Sequence, residues 1–148
     1  MQAKRTVTVS WVAQVTAAVI MGQTLFFKFT GAPETVALFT ALGMEPFGRI
    51  GTGVAELIAS VLLLIPATAP LGALLGVGLM IGAVGAHLTV LGINYNGDGG
   101  ALFAMAIVTL LSSLAVLWLR RDQVLRAVGQ LGISSASTTS TASTISPS

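Results

Sequence analysis

The sequence predicts an all-α fold, an integral membrane four-helix bundle with the lipid bilayer as its solvent. Three observations carry that expectation. Of 148 residues, 54% are hydrophobic and only 8% are charged, against about a quarter charged in soluble domains. The mean hydropathy is +0.91, and a soluble chain of this size has no interior large enough to hide that much apolar surface. The apolar residues also gather into four runs of about 18 to 24 residues, long enough for a helix to cross hydrocarbon while satisfying its own backbone.

Composition also excludes several function classes. The formal charge of +2 arises from few charges, with no basic stripe interleaved with aromatics, so nucleic acid is not an expected partner. There is no cysteine, which removes disulfides, thiolate metal sites and thiol redox chemistry. No metal site is expected, and no cofactor is carried by the chain itself. One histidine rules out a bis-histidine haem within one chain. No acyl-transfer triad, dinucleotide glycine loop or Walker pattern occurs in a suitable context.

The first span is expected over residues 6–29, after Lys4 and Arg5. A basic start before an apolar run is shared with signal peptides, but this run is long for one. It ends in LFFKF rather than a small-residue cleavage site, so it reads as a retained span. Gly31, Ala32 and Pro33 break it. Pro33 and Glu34 then suit the first turn of a short helix, with Val36, Phe39, Thr40 and Gly43 spaced for one lying at the interface. The second span, residues 48–65, is near the lower length limit, and PATAP (Pro66–Pro70) is a tight turn.

The third span, residues 71–91, carries GxxxG spacings at Gly72/Gly76 and Gly78/Gly82, the second continuing to Gly85. Small residues at this spacing let helix backbones approach closely. Two small faces predict an inner place between two neighbours. GINYNGDGG (Gly92–Gly100) is a loop in which Asp98 is placed to cap the next helix, a ligand-binding role being the alternative. The fourth span, residues 102–119, ends with Trp118 at the interface and Arg120 and Arg121 in water. Gln123–Gly132 is a weak amphipathic extension, and residues 133–148, almost wholly Ser, Thr and Ala, are expected to be a disordered tail. Residues 1–132 thus form one membrane domain.

Four spans put both termini on one side with the 66–70 turn. That side holds Lys4, Arg5, Arg120, Arg121 and Arg126, the other only Lys28 and Arg49. The positive-inside rule then favours both termini in the cytoplasm, and a bacterial inner membrane is the expected location.

The candidate functional residues converge on the outer half. Glu56 sits mid-span, where a carboxylate costs roughly 2.5–3.5 kcal/mol on insertion scales. Arg49 lies seven residues earlier, about 20° away on the same helix face. His87 lies roughly 6 Å inside the third span and Glu56 roughly 12 Å inside the second. Gln14, Met21 and Lys28, spaced by sevens, form a polar-containing seam on the first. The expected site is an outward-opening pocket with Lys28 and Arg49 at its rim, His87 on its wall and Glu56 on its floor. Asp98 lies just outside the fourth span, near the outer interface. The carboxylate and imidazole are candidate proton carriers near neutral pH, and the cations could hold an anion or a quinone-like carbonyl. Structural readings stand beside these: snorkelling anchors for Lys28 and Arg49, an Arg49–Glu56 salt link, a helix-bridging bond for His87, and helix–helix hydrogen bonds for Gln14 and Gln23.

In combination and order, FFKFTGAPE (Phe26–Glu34), LGMEPFGRIGTGVAELIASVLLLIP (Leu42–Pro66), AHLTVLGI (Ala86–Ile93) and DGGALF (Asp98–Phe103) resemble the DoxX-like family of small four-helix membrane proteins. The resemblance runs from about Trp11 to Arg121. Lys28, Arg49, Glu56 and His87 match polar positions such proteins place within the bundle. The family's namesake belongs to a thiosulfate–quinone oxidoreductase and terminal oxidase assembly. The resemblance therefore implies a subunit of a membrane redox complex, with quinone as the ligand to consider and redox subunits or a homo-oligomer as partners besides the bilayer. A non-catalytic scaffold and a proton-coupled transporter of small molecules stay open as alternatives.

Overall fold

The computed structural model describes residues 2–126 and 129. Helix α1 (Gln2–Thr30) contains no proline and one glycine, and buries Ser10, Gln14, Ala17, Ala18 and Met21 at three- and four-residue steps. It stops at Gly31, whose φ of 66° lets the Ala32 N–H reach back to the Phe27 carbonyl at 3.0 Å. That is the glycine-terminated helix end in which a left-handed residue satisfies an orphan carbonyl. Helix α2 (Pro33–Ala41) follows, with Pro33 in its first turn and Phe39 buried. Gly43 ends it in the same way, the Met44 N–H bonding the Phe39 carbonyl at 2.8 Å.

Helix α3 (Phe47–Leu64) has the clearest two-sided character, burying Gly53, Glu56, Ala59, Ser60 and Leu63 along one stripe. Pro66 prevents its continuation, and the Thr68 hydroxyl donates to the Leu62 carbonyl at 3.0 Å. Helix α4 (Ala69–Ala86) runs into a π-helical turn at His87–Leu91, released by Gly92 with φ 77°. After the Tyr95–Gly97 turn comes helix α5 (Ala101–Leu119), which buries Ala106, Thr109, Ser113 and Val116.

The four long helices form a ring. Helix α1 packs on α3 and α5, α4 packs on the same two, and α1 and α4 face each other across the diagonal. Helix α2 lies across one end against α1, α3 and the π-helical turn. Four segments, Lys4–Thr30, Phe47–Leu64, Ala69–Leu91 and Ala101–Leu119, are long and apolar enough to cross a membrane. No strand occurs among the described residues. The outward faces carry Val12, Val19, Phe26, Leu57, Val61, Leu74, Ile81 and Leu111, apolar surface that water would not tolerate and lipid does. The chain is a multi-pass membrane protein of four spanning helices.

The core is small-residue packing: Ala17, Ala18, Ala59, Ala69, Ala73 and Ala106 surround Met21, Leu63, Met80 and Val116. Close backbone approach replaces bulk here. A Cβ on Gly72 would lie 2.6 Å from the Leu63 nitrogen and 2.8 Å from the Ala59 oxygen, and one on Gly76 would lie 2.8 Å from the Ser113 hydroxyl. One glycine ridge therefore serves both neighbours, α3 through Gly72 and α5 through Gly76. The expected second packing face is not one: nothing lies within 4 Å of the Cβ positions of Gly78, Gly82 and Gly85. In a four-membered ring every helix has two neighbours and none is central. The tail at 133–148 and half of the extension at 123–132 lie outside the described residues.

Candidate functional site

A cavity of about 750 Å³ opens between α1, α2, α4 and α5. Most of its wall is apolar, including Leu38, Phe39, Leu79, Ala83, Leu102 and Met105. The polar groups on it are few: Thr24, Lys28, Glu34, Glu56, His87, Asp98 and Thr109 among them. Gly78 and Gly82 also line it, so part of the wall is bare α4 backbone. This volume and this balance are those of a small-molecule site.

Glu56 projects from the buried stripe of α3, and its Oε2 takes two hydrogen bonds from α1. The Lys28 ammonium donates at 2.5 Å and the Thr24 hydroxyl at 2.9 Å. The Thr24 hydroxyl also lies 2.7 Å from the Met21 carbonyl; its single proton favours the charged acceptor. Lys28 and Glu56 side chains are 12% and 7% exposed. Gly53 makes the approach possible, since a Cβ there would already meet the Lys28 Cβ at 3.6 Å and the Phe29 ring at 3.3 Å.

Spacing on α3 pointed to Arg49 as the cation for Glu56, or as a second rim cation. The structure places it elsewhere. Arg49 chelates Glu45 one turn back, with Nε at 2.9 Å from both carboxylate oxygens and a terminal nitrogen at 2.8 Å. Its other terminal nitrogen donates to the Lys28 carbonyl. Arg49 is not among the cavity-lining residues; it lies over Gly31 and holds the end of α1. Lys28, expected at the rim, turns inward instead, so cation and floor are one ion pair.

His87 is 5% exposed, on the cavity wall, and opens the π-helical turn. Its Nδ1 lies 2.8 Å from the Gly92 carbonyl. A carbonyl only accepts, so Nδ1 carries a proton and donates it there, which leaves Nε2 as the ring nitrogen not engaged by that bond. The ring stacks edge-on against Phe103 with centroids 5.7 Å apart. Asp98 accepts the N–H of Gly100 at 2.8 Å and of Leu102 at 2.9 Å, tying the loop to the start of α5. Those backbone bonds, helped by the nearby His87, hold its carboxyl below the usual 3.8.

Gln14 does not bridge helices. Its amide donates to the Ser10 carbonyl at 2.9 Å and hydroxyl at 2.7 Å within α1. Gln23 does bridge, donating to the Met105 sulfur on α5 at 3.0 Å. Sequence reasoning missed Thr24, although it lies one turn before Lys28 on the same seam. It also set Arg120 in water. There the guanidinium instead bonds the Ser10 hydroxyl at 2.9 Å and the Pro66 carbonyl at 2.7 Å.

Among known proteins, the family model described as the DoxX-like family matches residues 12–115. No curated protein and no solved structure matches the chain.

Proposed function

The protein belongs to the DoxX-like family, and from that premise we propose that it is a membrane subunit binding a quinone-like, lipid-soluble ligand in the Glu56 cavity. One observation carries this reading: an apolar cavity of about 750 Å³ has a buried Lys28–Glu56 ion pair and a histidine on its wall. The residues fit a quinone head group. Lys28 has two ammonium protons beyond the one given to Glu56, suited to a carbonyl oxygen. His87, its Nδ1 held by the Gly92 carbonyl, has Nε2 left for a hydroxyl or carbonyl of the head group. Both bonds to Glu56 fall on Oε2, so Oε1 can take up or release a proton. The apolar wall of α2, α4 and α5 would cover an isoprenoid-like tail.

A quinone bound there supplies two-electron, two-proton chemistry, with electrons exchanged with a redox partner subunit. The residues of this chain hold the head group and handle protons. In this reading the cavity opens away from the cytoplasm and both termini lie inside; alkaline phosphatase is expected to be active when fused near Asn96 and inactive when fused in the Pro66–Pro70 turn.

Binding of a fluorescent or spin-labelled quinone analogue to detergent-purified protein tests the proposal. Saturable binding lost in Glu56→Gln and weakened in His87→Ala supports it; no binding by folded wild-type protein refutes it. A scaffold role has its own support, because Lys28–Glu56 and Thr24–Glu56 tie α1 to α3. It predicts that Glu56→Gln changes stability and nothing else.

A further inference from the structure

Beyond the Lys28–Glu56 pair, toward the Arg120 end, the centre of the bundle stays polar. Gln14, Thr109 and Ser113 are all 0% exposed, and Gln14 Oε1, Thr109 Oγ1 and Ser113 Oγ have no protein hydrogen-bond partner. Each such orphan costs about 1–3 kcal/mol if left dry. Their heights are set by two cross-links between the antiparallel helices α1 and α5, Gln23 to Met105 at 3.0 Å and Ser10 to Arg120 at 2.9 Å. At about 1.5 Å of rise per residue, Ser113 comes within about 3 Å in height of Gln14, and Thr109 stands about 6 Å nearer Glu56. Thr109 itself lines the cavity. Ser113 faces the bare backbone of Gly76, with the Met21 methyl on the same spot, so its hydroxyl is turned to the interior and not to lipid. Gln14 continues the file to Ser10, and Ser10 to Arg120.

We propose that this file holds ordered water and is a proton path between Glu56 and the Arg120 end of the bundle, with Arg120 as its stopper. Buried water takes two to four hydrogen bonds from polar groups that lack them, and three orphan oxygens on facing helices supply these. Serine and threonine hydroxyls donate and accept alike, so a proton can pass by each oxygen accepting one and releasing its own. The glutamine amide orients the water between them. One proton enters and one arrives on Glu56; no electron moves. Arg120 is a donor-only cation. Bonded to the Ser10 hydroxyl and the Pro66 carbonyl, it can neither accept a proton nor let one past without swinging away. That closure keeps a membrane protein with an internal water file from leaking. The path rests on the reading of Glu56 as the proton-handling group. Gln14 and Ser113 lie outside the cavity wall, so quinone-analogue binding is measured independently of them.

The full chain is reconstituted into phosphatidylcholine–phosphatidylglycerol vesicles with an entrapped pH dye and a potassium–valinomycin potential. Wild type is expected to be tight, Arg120→Ala to leak protons several-fold faster, and Arg120→Ala combined with Ser113→Ala and Gln14→Leu to be tight again. X-ray hydroxyl-radical footprinting reads the water directly, without disturbing Arg120. Met21, only 1% exposed and shared between the cavity wall and Ser113, is expected to oxidise several-fold more slowly in Ser113→Ala/Gln14→Leu than in wild type, while Met105 on the cavity wall labels equally in both. Equal Met21 labelling in both overturns the water file even if Arg120→Ala fails to fold. A folded Arg120→Ala that does not leak, or a leak indifferent to Ser113 and Gln14, overturns the path. Retained quinone-analogue binding in either case leaves the head-group site standing.

Discussion

The Lys28–Glu56 pair makes a quantitative prediction through its asymmetry. The two charged groups are 2.5 Å apart and nearly buried. Over a charge separation of about 3 Å at an effective dielectric near 20, their attraction is about 5 kcal/mol. Desolvation offsets most of it, so removing both partners costs little, whereas removing one strands the other. The strandings differ. After Glu56→Gln, Lys28 remains in the last turn of α1, where its four-carbon stem can carry the ammonium to the interface. We expect a loss of about 2 kcal/mol, below the usual cost of about 3–5 kcal/mol for breaking a buried pair. After Lys28→Met, the carboxylate sits on the buried stripe of α3 and has no such exit. Stranded there, it should cost about 3–5 kcal/mol, the usual loss for breaking a buried pair. The double variant should fall within about 1 kcal/mol of wild type. Reversible unfolding in bicelles by steric trapping measures all four proteins. Additive losses, or Glu56→Gln costing more than Lys28→Met, would refute the reasoning.

Three further outcomes follow from local geometry. Gly72→Ala places a Cβ 2.6 Å from the Leu63 backbone nitrogen and should cost about 1–3 kcal/mol as α3 and α4 are pushed apart; Gly78→Ala, with open space around it, should be neutral or gain up to about 1 kcal/mol from helix propensity, both read in the same unfolding assay. Asp98 has its folded-state pKa lowered by the Gly100 and Leu102 N–H groups, so its stabilising contribution is fully present above the usual 3.8 and is lost as pH falls below that through the folded value. Asp98→Asn should flatten this acid limb in unfolding measured against pH. Arg49→Lys cannot reproduce both the chelate to Glu45 and the bond to the Lys28 carbonyl, and should lower stability in the same measurement, with the end of α1 loosened first.

The four spanning helices were legible because lipid allows few solutions: a backbone crossing hydrocarbon must satisfy itself, and residue counts then bound each helix. The glycine spacings were less decisive. Gly72/Gly76 and Gly78/Gly82 look alike along the chain, and only the placement of α3 and α5 makes the first a contact and the second a bare surface. Glu56 stood out through its cost in the span, but its partner did not. Seven-residue spacing put Arg49 on the right face, while Glu45, a single turn away, captured it. Lys28 reaches Glu56 because antiparallel α1 and α3 set it there, a register between helices that periodicity within one helix does not encode. Thr109 and Ser113 vanished in the hydropathy of α5, since two small hydroxyls barely lower the mean of so apolar a segment.

Those two hydroxyls weigh on the choice between a scaffold and a working site. A structural lock needs its polar groups satisfied, and the Lys28–Glu56–Thr24 cluster meets that condition. Taken alone it suits either reading. The orphan oxygens on Gln14, Thr109 and Ser113 do not. Valine matches threonine in shape, alanine is smaller than serine, and leucine approximates glutamine in volume. An apolar core would thus fit this backbone without the penalty of unpaired groups. A bundle built only to hold together has no use for three buried oxygens that its own side chains leave unbonded. A bundle that must bring protons to a carboxylate deep in the membrane has a direct use for them. For that reason the polar file, more than the ion pair, supports the proposal that protons reach Glu56 over a scaffold reading.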